Sequence, residues 1–358
     1  MRLLATTNRG LEDVATDEIE RLTGTAASVH HPGWVAFEGT EGDIPPLNRQ
    51  SRTLHRVYVE LVDETATDLD DIADLAEAVP IEQYVDPGQA FAVESTRIGT
   101  HDFESPEVAD VVGQAIIDRY RDATGRRLPV DLDDPDVTLS ATVRHDRFTL
   151  GLDTTGPVSL HRRPYRVCDH VAPIRPTLAA AMLELVDFDP GESLVDPLCG
   201  GGTIPIEAAF AAAGVSHNAA RTDFAFRDLS FVPDVPASEP DAIAPAGPIA
   251  GGERDPEWLD CARENVATAG VPVSLYRGDA RSFVPDADVI ATDLPFDIRQ
   301  DHGDLRPLYR EFSERAEASG ADRLVALTTK PGLLTLDPDS VRTFQDGRLE
   351  VSIVVASL

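Results

Sequence analysis

The sequence predicts an α/β protein: a doubly wound, mostly parallel sheet with an antiparallel last strand in the C-terminal half, preceded by mixed α+β units. Three observations predict it. From about Val171 short apolar strands alternate with helices. The first of those strands ends on an acid and runs through a glycine loop into an alanine-rich helix. The chain then finishes on two β-rich runs around Asp346-Gly347, a hairpin signal that turns the last strand antiparallel.

Residues 193–195 read as the first strand of that half and 203–213 as its helix. A strand follows at 247–252. Asp255 suits a helix N-cap, Pro256 the first helical position and Gly270 the end, with Leu259, Ala262, Val266 and Ala267 on one face. Residues 273–276 and 288–291 are short strands, 306–319 a helix, 323–328 a strand and 342–355 the closing hairpin. Upstream, 11–22 is an acidic amphipathic helix, 57–62 and 90–94 are strands, and 107–121 is a helix. Residues 138–143 and 148–152 form a hairpin around His145-Asp146. Thr154-Thr155-Gly156-Pro157 is the expected boundary between the halves, and the Pro- and Ala-rich residues 234–248 an expected exposed insertion.

A chain of 358 residues exceeds one usual domain, so two or three are expected. No apolar run reaches membrane-spanning length, and the start lacks the apolar core of a signal peptide, so a cytoplasmic protein is expected. Cys168, Cys199 and Cys261 are scattered, which predicts neither a disulfide framework nor a metal site. Acidic residues number 63 against 31 basic ones, a formal net charge of −32, and Lys330 is the only lysine. With 42% hydrophobic residues the chain reads as folded, with a hydrated carboxylate surface of the halophile kind. Such a charge repels nucleic acid, so any RNA-binding role must rest on local arginines.

The strongest motif is Ser193-Leu194-Val195-Asp196-Pro197-Leu198-Cys199-Gly200-Gly201-Gly202-Thr203. Glycines let the backbone approach a ligand closely, and Thr203 can cap the helix that follows. The spacing is not that of a dinucleotide fingerprint, and Asp196 would repel a pyrophosphate. A zwitterionic methionine moiety tolerates it, which points to S-adenosyl-L-methionine. After the next strand, Glu253 can accept both ribose hydroxyls, while Asp255 has a competing job as helix cap. Gly278-Asp279-Ala280 follows the third strand, and Asp279 can accept the adenine amine. The order of the three carries the weight. The fold it implies is Rossmann-like, of the class I methyltransferase type.

Asp293-Leu294-Pro295-Phe296 ends the fourth strand and resembles the [Asp/Asn]-Pro-Pro-[Tyr/Phe] motif of amino-group methyltransferases. An exocyclic amine is a poor nucleophile, because its lone pair is delocalised into the base. The Asp293 carboxylate and a backbone carbonyl near Leu294 can accept its two hydrogens and turn the lone pair toward the methyl, an orienting effect. Phe296 can stack on the base.

With these motifs the chain resembles the THUMP-domain RNA guanine-N2 methyltransferases. Leu160-His161-Arg162-Arg163-Pro164-Tyr165-Arg166 is similar to that family's linker-proximal motif, and Ala172-Pro173-Ile174-Arg175-Pro176-Thr177-Leu178-Ala179-Ala180-Ala181 to the helix leading into its cofactor site. Asp223-Phe224-Ala225-Phe226 is similar to its segment before the second strand. Phe91-Ala92-Val93 and the run Gly99 to Pro106 resemble a THUMP core. Ala5-Thr6-Thr7-Asn8 with Gly10-Leu11-Glu12 resembles the ferredoxin-like element. Asp297 departs from the family's glycine, Pro176 from its acid and Gly201 from its serine.

The resemblance implies residues 1–50 as a ferredoxin-like element, 51–155 as THUMP, 156–175 as linker and 176–358 as the catalytic domain. It implies Thr177, Asp196, Pro197, Cys199, Gly200, Gly202, Thr203, Glu253, Asp255, Asp279 and Ala280 at the cofactor, with Asp293, Leu294, Pro295 and Phe296 catalytic. Arg97, His101, Arg126, Arg127, His161, Arg162, Arg163 and Arg166 are the expected RNA contacts. The implied partner is tRNA, bound by a monomer away from membranes, with guanosine 6 of the acceptor stem as target. The alternatives are a ribosomal RNA guanine-N2 enzyme, a DNA adenine-N6 enzyme, or a non-catalytic RNA-binding protein.

Overall fold

The computed structural model describes residues 1–168, 173–214, 217–218, 221–233, 247–282, 284–296 and 304–358. Most of the expected insertion at 234–248, Ala172 and Asp297 lie outside the described residues. The first half contains β1 (Arg2–Thr7), α1 (Glu12–Thr23), β2 (Ala27–His31), β3 (Trp34–Glu38), α2 (Ile44–Gln50), β4 (Leu54–Thr65), α3 (Leu69–Glu77), β5 (Phe91–Ile98), α4 (Ser105–Thr124), β6 (Val137–Arg144) and β7 (Arg147–Asp153). These seven strands form one sheet in the order β2-β3-β1-β4-β7-β6-β5. The twelve-residue β4 is the shared seam: Val59 faces Leu3 of β1 on one edge and Leu152 of β7 on the other. The expected domain boundary at residue 50 falls just before this seam, so the ferredoxin-like and THUMP parts are continuous through backbone hydrogen bonds. The expected hairpin turns at His145, which adopts a positive φ of 55°.

The second half contains α5 (Pro176–Leu185), β8 (Leu194–Asp196), α6 (Thr203–Ala213), β9 (Ile249–Glu253), α7 (Pro256–Ala269), β10 (Ser274–Arg277), β11 (Val289–Asp293), α8 (Arg306–Glu317), β12 (Arg323–Thr328), β13 (Ser340–Asp346) and β14 (Leu349–Ser357). The sheet order is β10-β9-β8-β11-β12-β14-β13. Strands β10 to β12 are parallel, and β14 runs antiparallel beside β12. The closing loop is Gly347-Arg348, with Asp346 paired to Leu349. Gly347 supplies the positive φ, at 62°, so Asp346 ends the strand rather than occupying the turn.

The halves are packed together. Leu11 and Val14 at the start of α1 are buried in the same cluster as Leu178, Met182, Phe344 and Ile353 of the C-terminal half. Gly10 has φ +85°, and a Cβ there would lie 2.5 Å from Phe344 Cβ. Around the expected boundary at Thr154-Thr155 the chain is packed in the interior. Both threonines are fully buried and bond Asn48 and the Val57 backbone, and Gly156 packs on Asp223 and Ala225. The cysteine expectation is corrected: Cys168 and Cys261 form a disulfide that fastens the linker to α7. Their 93-residue separation left no sequence pattern. Among the described residues no helix is long and apolar enough to cross a membrane.

Candidate active site

The glycine loop follows β8, whose Leu194 and Val195 are buried between α-helical layers. Cys199 N donates to Gly252 O (2.9 Å), which ties the loop to β9, and Gly202 N donates to Cys199 O (2.7 Å). Gly200 and Gly202 have φ of 49° and 82°, a conformation that side-chain-bearing residues rarely adopt. Gly202, not Thr203, is the N-cap of α6, and Thr203 is already inside the helix. Cys199 is buried against Gly251, and burial pushes its thiol well above its ordinary value.

Glu253 ends β9 with its carboxylate fixed by backbone donors: Gly200 N at 3.2 Å and Asp255 N at 2.8 Å. Asp255 caps α7 by accepting from Glu257 N at 2.9 Å. Glu253 O also accepts from Gly278 N (3.1 Å), which brings the Gly278-Asp279-Ala280 turn alongside. The Arg281 guanidinium bonds Asp279 and holds its carboxyl below the usual range. Ala280 is buried. Tyr276 forms a wall here: a Cβ on Gly252 or Gly278 would lie 2.5 or 2.8 Å from its ring.

Asp196 is buried, which pushes its carboxyl up to about 7 against the opposing hydrogen bonds from Thr292 Oγ1 (2.7 Å) and Leu198 N (3.1 Å). Asp293 ends β11, the neighbour of β8. Its Oδ1 is buried and has no hydrogen-bond partner among the described residues. Burial, then the charges of Asp196 and Asp346, push this carboxyl well above the usual range. Leu294 N donates to Leu327 O at 2.9 Å, so the tetrad is anchored to β12. Tyr309 Oη donates to Pro295 O (3.3 Å) and pairs with Thr328 Oγ1 (2.6 Å). Phe296 is partly buried against the cluster that holds Phe344.

Two supporting residues were missed from the sequence. Buried Tyr309 holds the tetrad from α8. Asn265, in the middle of α7, accepts from Val167 N and Cys168 N (both 3.0 Å) and donates to Cys168 O and Gly201 O (both 2.9 Å). It joins the linker to the glycine loop. The available signal was an amide residue inside a helix that such residues disfavour.

Thr177 places its buried hydroxyl against Asn8 Nδ2 and His55 Nε2, both at 3.1 Å, at the junction of the halves. Arg163 is a correction among the RNA candidates. It is fully buried and pairs with Glu207 (3.0 Å), where no RNA can reach it. His161 is partly buried beside His55 and pushed down to about 4, chiefly by burial. Arg97 pairs with Glu104 at 3.0 Å, and His101 bonds the His145 carbonyl. Arg126, Arg127 and Arg162 are exposed, and Arg166 is half-buried.

A sheet of this order, with a glycine loop after β8, a carboxylate held by backbone donors at the end of β9 and a buried carboxylate at the end of β11, defines a class I methyltransferase domain. The RMKL-like methyltransferase domain family matches residues 163–336, the THUMP domain 66–153 and the RlmL ferredoxin-like domain 2–58. The chain is 35% identical to the tRNA (guanine(6)-N2)-methyltransferase of Archaeoglobus fulgidus, over 92% of this chain and 83% of that protein. It is 31% identical to the enzyme of the same name from Methanocaldococcus jannaschii, over 92% and 91%. The fold superposes on SMU.472, solved with SAH, with a TM-score of 0.86 over 99% of this chain and 97% of that one, at 24% identity. The chain belongs to the THUMP-domain RNA methyltransferase family that includes the two archaeal enzymes.

Proposed function

We propose that the chain transfers the methyl group of S-adenosylmethionine to the exocyclic N2 amine of guanosine 6 in the acceptor stem of tRNA. The observation that carries this is Asp293: a buried carboxylate oxygen, without a partner among the described residues, at the carboxyl end of β11, beside the strand that carries the glycine loop. A buried acceptor without a donor costs free energy unless a ligand supplies one. An amine hydrogen does so and brings the carboxyl back down. The names of the two archaeal relatives support tRNA and position 6.

The residues around the glycine loop suit the cofactor. The glycine loop turns at positive φ. Backbone donors pre-set Glu253 and leave each oxygen a second lone pair for a ribose hydroxyl. When bound, the cofactor supplies an electrophilic methyl on a sulfonium. Asp293 and the Leu294 carbonyl orient the amine, Phe296 stacks on the base, and Asp293 Oδ1 can take the proton the nitrogen sheds afterwards. Residues 1–155 hold the RNA and set its reach.

The test is to incubate the purified chain and labelled cofactor, at molar salt, with a tRNA transcript carrying G6, then analyse its nucleosides by mass spectrometry. N2-methylguanosine at position 6 is expected. Label at position 10, only in ribosomal RNA, or on adenine would overturn this target.

A further inference from the structure

A pocket of about 300 Å³ lies where four distant segments meet: Asn8 and Arg9 after β1, His55 of β4, Arg175 before α5, and the β13–β14 tip with Phe344 and Asp346. It has room for one nucleotide rather than a helix. Its charge is unlike that of the rest of the molecule, which carries −32. Arg9 is exposed and makes no ion pair among the described residues. Arg144, at the end of β6, lies close enough to Arg9 to feel its charge, and its buried Nε has no partner among the described residues. Arg175 also acts on His55 and His161. Among the described residues the only acid on the pocket wall is Asp346, 2.9 Å from the Arg175 guanidinium and close enough to Asp293 to act on its charge.

Gathering like charges is costly in a protein with carboxylates to spare, and an anion relieves it. We infer that this pocket binds the RNA backbone beside the target guanosine, with Arg9 and Arg175 on a phosphate that takes the place of Asp346. Arginine's planar fork suits a phosphate as it suits a carboxylate. The four segments form the pocket only when the ferredoxin-like part is docked on the catalytic domain, which gives that docking a role in substrate placement. The inference rests on the RNA reading above.

The test is direct binding of the G6-bearing tRNA transcript by fluorescence anisotropy, without turnover, over a series of salt concentrations. Arg9→Gln should weaken binding on the order of tenfold and reduce the salt slope by about 0.7–0.9, one phosphate contact. Asp346→Asn should change affinity the opposite way, because it removes the competing carboxylate. Arg263→Gln, on the exposed face of α7 and paired with Asp260, should leave binding within twofold. Two variants shifting in opposite directions separates a contact from damage to the fold. Unchanged affinity and slope in both Arg9→Gln and Arg175→Gln, with the wild type binding normally, would overturn the inference alone. A wild type that does not bind the transcript would overturn the RNA reading, and this inference with it.

Discussion

Asp196 and Asp293 end neighbouring strands, yet their surroundings differ. Asp196 accepts from both Thr292 and the Leu198 backbone at Oδ1, so it shapes the loop. Asp293 keeps a buried oxygen without a partner among the described residues. Asp293→Ala should therefore leave cofactor affinity within about twofold while kcat drops by about 100-fold or more, since misplacing a nucleophile costs that order. Calorimetry paired with single-turnover methylation checks both halves, and near-normal turnover would mean that another acceptor orients the amine. The histidines give a pH prediction. Burial, with nearby His161 and Arg175, lowers His55 to about 3, and burial lowers His161 to about 4. Both values lie below the ordinary 6.5, so both rings are neutral when folded at neutral pH. Their contribution to stability is present above the unfolded value and is lost as pH falls through the window toward the folded one. His55→Gln should shrink the stability lost between about pH 7 and about pH 5 by on the order of 1 kcal/mol. Denaturant unfolding at the two pH values measures it.

At the scale of elements, the linker is fastened rather than flexible. Arg163 and Tyr165 both bond Glu207 of α6, and Arg163 also donates to the carbonyls of Leu160 and Arg52. Arg163→Ala strands a buried carboxylate, which should cost about 3–5 kcal/mol. The RNA affinity of the protein that remains folded should not change. A loss of affinity at unchanged stability would return Arg163 to the RNA interface. The same elements show which signals were legible. Helix α6 and strand β12 match the expected bounds because an alanine-rich run and a short apolar run are local patterns. Asp255 caps α7 and Gly270 ends it as read. Strands β1 to β3 and helices α2 and α3 were not resolved individually. Their apolar residues pack within their own half, and each element spans only five to nine residues, too few for a period to stand out.

The whole molecule behaves as one packed body. Leu11, Val14 and Phe344 share a core across the halves, and Arg342 pairs with Asp13. A fragment of residues 176–358 bares that apolar face. It should melt well below the full chain and bind a hydrophobic dye, and a fragment as stable as the full chain would show the packing to be incidental. Net charge acts on the same scale. With −32, carboxylate repulsion opposes the compact state and is screened by salt. The melting temperature should climb steadily with potassium chloride, as calorimetry would register. A flat response would mean the carboxylates are balanced locally.

The sequence by itself determined the strand–helix alternation, the glycine loop with its following acids, and the Asp293 tetrad. Each of these is written in residues adjacent along the chain, where turn geometry and hydrogen bonding are local. Tertiary structure alone decided that Arg163 is buried on Glu207, that Cys168 meets Cys261, and that Thr154 and Thr155 lie in the core. It also decided that Arg9, His55, Arg175 and Asp346 line one pocket. The physical reason is that burial and long-range pairing depend on which faces dock. An arginine on paper carries the same charge whether its partner is a phosphate or a carboxylate two domains away.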